Sequence, residues 1–129
     1  LGDAVRAEGA KMPAEVVGAL GFNFGPTGAT WSEADSLLYA IDATTDGLYT
    51  ISPQTGVATF IKSITKDFGT VGIELHPANG KIYACSSDAH LLEVDPLTGT
   101  VTEIGDMEQS TSCTNLAAPW SKVECIQPE

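Results

Sequence analysis

The sequence predicts an all-β fold built from a repeated unit of about 43 residues, and three observations support this prediction. Residues 28–61 recur as residues 72–104, at an offset of 44 that becomes 43 partway along. Within each copy, apolar and polar residues alternate over short runs, as in half-buried strands. Turn sequences rich in Pro, Gly, Asp, Asn and Ser separate these runs.

The two copies agree at the positions that shape strands and turns. The matched pairs at an offset of 44 include Phe24 and Phe68, Gly28 and Gly72, and Tyr39 and Tyr83. Each copy also carries a Pro-x-Thr-Gly turn, at residues 53–56 and 96–99. Pro presets φ for the second position of a turn, and Gly takes the left-handed conformation that closes a bulged hairpin. A period in the low forties made of short strands is typical of a β-propeller blade, so we predict a propeller-like fold.

The alternation defines the expected strands and the division of the single domain. Strands are predicted at residues 27–32, 37–42, 48–52 and 57–63 in the first unit, and at 71–76, 81–86, 90–95 and 100–105 in the second. Weaker matches predict an outer strand at 15–20 and an inner strand at 116–121. The predicted parts are an N-terminal arm (1–13), blade 1 (25–64), blade 2 (68–107), and a third blade split between 14–24 and 113–129.

The repeat resembles the secreted bacterial propeller repeats related to the NHL and YVTN types, in which a Leu-Tyr-x-Ile-Asp strand precedes a Pro-x-Thr-Gly turn. The corresponding strands here are residues 48–52 and 91–95, and the resemblance covers about residues 14–121. There is no Trp-Asp dipeptide, so the chain is not similar to the WD-repeat group. The resemblance implies a propeller in which strands from both termini complete one blade. Propellers typically have about four to eight blades, so three repeats leave open sheet edges.

Open edges predict self-association, because an unpaired strand edge pairs readily with another chain. We expect a non-enzymatic structural or scaffold subunit that forms a closed ring or a filament. The residues expected to mediate assembly lie in the split unit and are Val16, Val17, Leu20, Leu116 and Trp120. Three alternatives stay open: a fragment of a longer propeller, a compact monomer whose N-terminal arm covers the edge, and a lectin-like module that binds calcium or carbohydrate.

Composition and charge argue against two kinds of partner. The chain has 17 acidic and 6 basic residues, a formal net charge of -11. Binding nucleic acid requires a basic footprint, so we expect no nucleic-acid partner. No apolar run approaches the roughly 18 residues of a membrane-spanning helix, so we expect no membrane span. The acidic surface and a first residue other than Met favour a secreted, extracellular protein.

The three cysteines are predicted to play different roles. Cys113 and Cys125 flank the predicted last strand, and a disulfide between them would hold that strand in place. Cys85 takes the place of Ile41 in the repeat. Because free Cys is often buried as a small apolar residue, Cys85 is predicted to be a reduced core residue.

Candidate chemistry is sparse. Asp42, Asp46 and Asp88 lie in hairpin loops, and such loops at one end of a propeller can gather oxygen ligands for Ca²⁺. The Asp-x-Asp-x-Asp pattern of a dedicated calcium loop is missing, and ordinary turn chemistry explains Asp46 before Gly47. We therefore predict no cofactor and no metal. No nucleophile elbow or phosphate-binding glycine loop occurs, and the carboxylates Glu33 and Asp35 fit a polar turn, so no catalytic residue is predicted.

Overall fold

The computed structural model describes residues 13–108 and 110–118. The strands are β1 (Thr27–Ser32), β2 (Leu37–Asp42), β3 (Gly47–Ile51), β4 (Ala58–Ser63), β5 (Val71–Leu75), β6 (Ile82–Ser86), β7 (His90–Val94) and β8 (Val101–Asp106). They form two antiparallel sheets, in the orders β1-β2-β3-β4 and β5-β6-β7-β8. The described residues contain no helix. The all-β prediction is therefore confirmed, and each sheet corresponds to one copy of the repeat.

The strand boundaries agree closely with the repeat. β1 and β2 span the predicted residues, and the other six strands differ by one residue at one or both ends. Ser52 and Asp95 are predicted to end strands, but each is the first residue of a turn. The N–H of Gly56 donates to the carbonyl of Ser52 at 2.8 Å, and the N–H of Gly99 donates to that of Asp95 at 2.7 Å. Both glycines have positive φ, 77° and 71°, so the two Pro-x-Thr-Gly turns share one geometry.

The two sheets pack through one face each, and the main core lies between them. On the first sheet this core face includes Tyr39, Ile41 and Leu48. The residues of the second sheet that meet it are Val71, Ile73, Ile82, Ala84, Leu92 and Val94. All nine side chains are buried, because alternate positions on each strand point toward the opposing sheet.

Close contact between β1 and β5 fixes the distance between the sheets. A Cβ atom on Gly28 would lie 3.0 Å from the carbonyl oxygen of Val71 and 3.1 Å from the amide nitrogen of Ile73. Two positions along β1, the N–H of Leu75 donates to the hydroxyl of Thr30 at 2.9 Å. The strands approach this closely because residue 28 has no side chain.

The connection from β4 to β5 is held by a turn of the first sheet. Asp46, in the β2–β3 turn, has a φ of 49°. Its carbonyl accepts from the N–H of Ile64 at 2.7 Å, and its carboxylate accepts from the N–H of Phe68 at 3.2 Å. Both apolar side chains are buried in the main core, Phe68 completely. A hairpin turn thus sets the path by which the chain enters the second sheet.

The predicted outer strand at residues 15–20 is not present. Residues 13–20 have no regular secondary structure, and residues 13–22 are exposed. One backbone hydrogen bond joins them to β4, from the N–H of Ala58 to the carbonyl of Leu20 at 2.9 Å. A strand requires a continuous ladder of such bonds, which a single contact does not supply. At the other end, residues 116–118 are not a strand either, and residues 119–121 lie outside the described part of the chain.

We predict that Gly28→Val lowers the free energy of unfolding by about 2 kcal/mol, because the added side chain would separate β1 from β5. Urea unfolding followed by fluorescence measures this change. Gly105→Val is the matched control, since a Cβ atom at Gly105 would meet nothing within 4 Å. This control should change stability by less than about 0.5 kcal/mol. Equal effects of the two substitutions would contradict a role for close strand approach at residue 28.

Candidate assembly surfaces

Each sheet has a second face, directed away from the main core. On the first sheet this face carries Trp31, Ala40, Tyr49, Ala58 and Phe60, and we call it the tail face. On the second sheet it carries Gly72, Glu74, Tyr83, Cys85 and Leu91, and we call it the head face. Within the described residues no further sheet packs on either face. Each face is instead met by a terminal segment, residues 16–24 at the tail and residues 113–118 at the head.

The tail face is aromatic. Tyr49 makes edge-to-face contacts with Phe22, Phe24 and Phe60, at ring-centroid distances of 5.1, 4.8 and 5.5 Å. Phe22 and Phe60 are still about half exposed, and so is Trp31 on the same face. The N-terminal segment adds three more exposed apolar side chains, namely Val16, Val17 and Leu20. Six of the nine large apolar residues exposed in the described chain therefore lie at this end.

The N-terminal segment meets the first sheet where a preceding repeat would. A Cβ atom on Gly18 would overlap the carbonyl oxygen of Thr55, and a Cβ atom on Gly56 would lie 2.9 Å from the carbonyl oxygen of Gly18. In the second sheet, Gly99 occupies the position of Gly56, and a Cβ atom on Gly99 would lie 3.1 Å from Cδ of Lys62 in β4. Lys62 lies 44 residues after Gly18, and Gly99 lies 43 residues after Gly56. The segment near Gly18 thus takes the place that β4 takes beside the second sheet.

The C-terminal segment shows the same relation at the head face. A Cβ atom on Gly72 would lie 2.6 Å from Cα of Asn115, just as one on Gly28 would contact Val71. Each of these glycines meets the residue 43 positions further along the chain. Residues near Asn115 therefore lie against β5 as the beginning of β5 lies against β1. Both ends of the described chain continue the repeat's packing.

The predicted disulfide between Cys113 and Cys125 is wrong: Cys113 is bonded to Cys85, with 5.6 Å between their Cα atoms. Cys85 is fully buried, as predicted, but it is oxidised. The repeat correctly equates Cys85 with Ile41. The core face that carries Ile41 is covered by a sheet, whereas the head face at Cys85 is crossed by the segment that begins at Cys113. The thiols meet for this reason, and Cys125 lies outside the described residues.

A cavity of about 360 Å³ lies between the head face and the C-terminal segment. Its lining is mostly apolar and consists of Glu74, His76, Tyr83, Leu91, Leu116, Ala117 and Ala118. Two polar groups at its rim are already engaged by the β5–β6 turn. The side-chain amide of Asn79 donates to the hydroxyl of Tyr83 at 3.0 Å, and the N–H of Ala78 donates to Nδ1 of His76 at 3.1 Å. The cavity thus suits an apolar group more than a charged one.

The residues predicted to mediate assembly fall at opposite ends of the sheet pair. Val16, Val17 and Leu20 accompany the tail face, while Leu116 lines the cavity on the head face. Trp120 lies outside the described residues. The structure does not bring the two groups together within the described chain. The tail-face aromatics Trp31 and Phe60 are absent from the predicted set, although strand alternation places both on the face that carries Tyr49.

The first calcium candidate, Asp42, serves the protein itself. It is buried, and its carboxylate accepts from the N–H groups of Gly25 at 2.8 Å and Thr45 at 3.1 Å and from the hydroxyl of Thr45 at 2.7 Å. Burial alone would raise the pKa of Asp42, but these hydrogen bonds outweigh it and hold the pKa below its usual value. The oxygens hold the β2–β3 turn and the approach to β1.

The other two candidates are also engaged by protein groups. Asp46 accepts from the N–H of Phe68 and so holds the β4–β5 connection. Asp88 accepts from the hydroxyl of Ser86 and pairs with Lys66 at 3.0 Å, which together lower the pKa of Asp88 to about 2. In residues 13–108 and 110–118, no group of three or more His, Cys, Asp or Glu side chains is arranged to hold a metal ion.

The carboxylates of the β1–β2 turn act structurally. Glu33 accepts from the indole N–H of Trp31 at 2.8 Å. Asp35 accepts from the hydroxyls of Ser32 at 2.9 Å and Tyr39 at 3.0 Å. Burial, and then the neighbouring Asp35 carboxylate, raise the pKa of Tyr39. These contacts order the turn.

Comparison with known proteins gave no match, either to a protein-family model or to a curated protein. Among the residues that the structure describes, no helix is long and apolar enough to cross a membrane. The disulfide is compatible with an extracellular location, since disulfides persist in oxidising compartments.

We predict that Cys113→Ser lowers the free energy of unfolding by about 3 kcal/mol, because the bridge between residues 28 apart restricts the unfolded chain. Cys125→Ser is the matched control, because it leaves the bridge between Cys85 and Cys113 intact and should keep the stability that this bridge provides. Urea unfolding without reductant makes this comparison. A non-reducing peptide map after cleavage at glutamate checks the pairing directly. A crosslink between the peptides that contain Cys113 and Cys125 would contradict it.

We predict that Asp42→Asn costs about 2 kcal/mol of stability at neutral pH, because the buried turn loses charge-assisted hydrogen bonds. The pKa of Asp42 is lowered by folding, so its contribution is complete above the unfolded value of about 4 and is lost as pH falls through the folded value. The gap between wild type and variant should therefore narrow below about pH 4. Asp67→Asn, at an exposed turn, is the control. A gap independent of pH would contradict the assignment.

Proposed function

We propose that the chain is a non-enzymatic, secreted propeller-repeat module that self-associates through its tail and head faces and serves as a structural or scaffold subunit. One observation carries this proposal. Gly18 and Asn115, near the two ends of the described chain, contact the sheets at the positions that neighbouring repeats occupy. The packing pattern therefore continues beyond each sheet, and a second copy can supply the next sheet in the series.

Exposed apolar area provides the driving force. Burying a large apolar side chain fully contributes about 1.5–3 kcal/mol, and the six at the tail are on average about half exposed, so together they offer on the order of 5–10 kcal/mol. Association costs about 4–15 kcal/mol in lost freedom of motion. The two quantities are similar in size. The affinity of one copy for another is then moderate, and one or two polar substitutions at the tail are enough to abolish association.

Charge opposes the same association. Each copy carries a formal charge of -11, so approaching copies repel one another. Salt screens this repulsion, because the Debye length falls to about 8 Å at physiological ionic strength. Association should therefore strengthen as salt is added, as expected for contacts that are mainly apolar.

We predict that Val16→Asp combined with Val17→Asp abolishes association, because both side chains are exposed, at 90% and 59%, and stand in the segment that would pack on a neighbour. Sedimentation velocity at several concentrations should show wild-type chains associating and the double variant as a monomer. Leu97→Asp is the matched control, since Leu97 is 86% exposed but lies in the β7–β8 turn. A wild-type chain that stays monomeric at millimolar concentration would overturn the proposal.

A further inference from the structure

We infer that copies of this chain join head to tail, with the tail face of one copy directed at the head face of the next. This inference rests on the proposed self-association and specifies its geometry. The contact is then heterologous, since the two partners use different surfaces. A symmetric dimer built from two tails or from two heads is the alternative.

The internal packing has this polarity already. The first sheet packs against the second through the face that carries Gly28 and Thr30. The second sheet packs through the face that carries Val71 and Ile73, which is not the face that corresponds to it in the repeat. The head face of the second sheet corresponds to the face of the first sheet that carries Gly28 and Thr30, because Gly72 and Glu74 occupy the same positions in the repeat. Likewise, the tail face of the first sheet corresponds to the face of the second sheet that carries Val71 and Ile73. Repeating the internal step, with the terminal segments as the layer in between, therefore brings a tail to a head.

The terminal segments fit the same direction. Residues near Gly18 stand where the outermost strand of a preceding sheet would be, and residues near Asn115 stand where the innermost strand of a following sheet would begin. When a tail meets a head, these two segments become parts of one layer between two copies. Two tails facing each other would instead bring two outer segments together and leave both inner segments without a neighbour.

Shape and charge also favour unlike partners. The tail presents half-exposed aromatic rings, those of Phe22, Trp31 and Phe60, whereas the head holds a mostly apolar cavity of about 360 Å³. In a head-to-tail contact the aromatic surface and the cavity lie on the two sides of one layer, whereas two tails in contact would leave the cavity uncovered. Glu74 and Glu93 stand on the head face, in register with Tyr83 on either side. Two heads would bring four carboxylates together, which is unfavourable.

A mixing experiment tests the polarity. Trp31→Glu blocks the tail, and Ala117→Glu blocks the head by adding a carboxylate beside the cavity; both side chains are exposed, so the sheets should fold. In a head-to-tail contact, each variant alone is monomeric, because every contact needs one tail and one head. An equimolar mixture forms a heterodimer of twice the chain mass and nothing larger, since the remaining tail and head are both blocked.

Native mass spectrometry with one variant labelled with ¹⁵N identifies the heterodimer. A mixture that stays monomeric, or one variant that alone assembles as wild type does, would overturn the head-to-tail arrangement while leaving self-association intact. A monomeric wild type would instead refute the proposed function. Urea unfolding confirms that each variant is folded. Val16→Asp with Val17→Asp provides a second tail variant, which should also pair with Ala117→Glu.

Discussion

The close contact between β1 and β5 is the constraint on which the rest of the structure depends. It requires a residue without a side chain at position 28, where a Cβ atom would meet the backbone of the second sheet. With the strands this close, Ile41 and Leu48 reach the apolar face of the second sheet and are excluded from water. The hydrogen bond from the N–H of Leu75 to the hydroxyl of Thr30 fixes how β5 is placed along the length of β1. Sheet packing, burial and register therefore depend on one small residue.

Local turn chemistry extends that constraint along the chain. Asp46 holds the backbone of Ile64 and Phe68, so the linker delivers two apolar side chains to the core. Asp42 performs a similar task where the chain enters β1, through its bond to the N–H of Gly25. Buried or partly buried carboxylates that accept several N–H groups are strong structural anchors. This explains why aspartates that suggest cation binding in sequence are occupied by the protein's own backbone.

The strands could be predicted from sequence because alternating apolar residues and turn residues are local signals. The two copies of the repeat also place these signals at matching positions, so each copy supports the strand boundaries predicted in the other. The pairing of Cys113 could not, since it depends on where the chain travels after β8. Cys85 and Ile41 are equivalent, but only the structure shows that a sheet covers one and a single segment covers the other. The predicted strand at residues 15–20 is absent for a related reason. Its sequence matches β4, yet a strand also needs a partner along its length, and within the described residues its backbone makes one hydrogen bond to β4, at Ala58.

The disulfide has a mechanical consequence. It joins the C-terminal segment directly to β6, and β7 and β8 lie within the covalent loop that it closes. A pulling force applied beyond Cys113 would pass through the sulfur atoms into β6 and would bypass the two outer strands. The hydrogen bonds of β7 and β8 would then carry little of the load, and the chain would first extend in strands outside the loop that the disulfide closes. In an oxidising environment the bridge therefore protects β7 and β8 from such a force, whereas reducing agents would expose both strands to it.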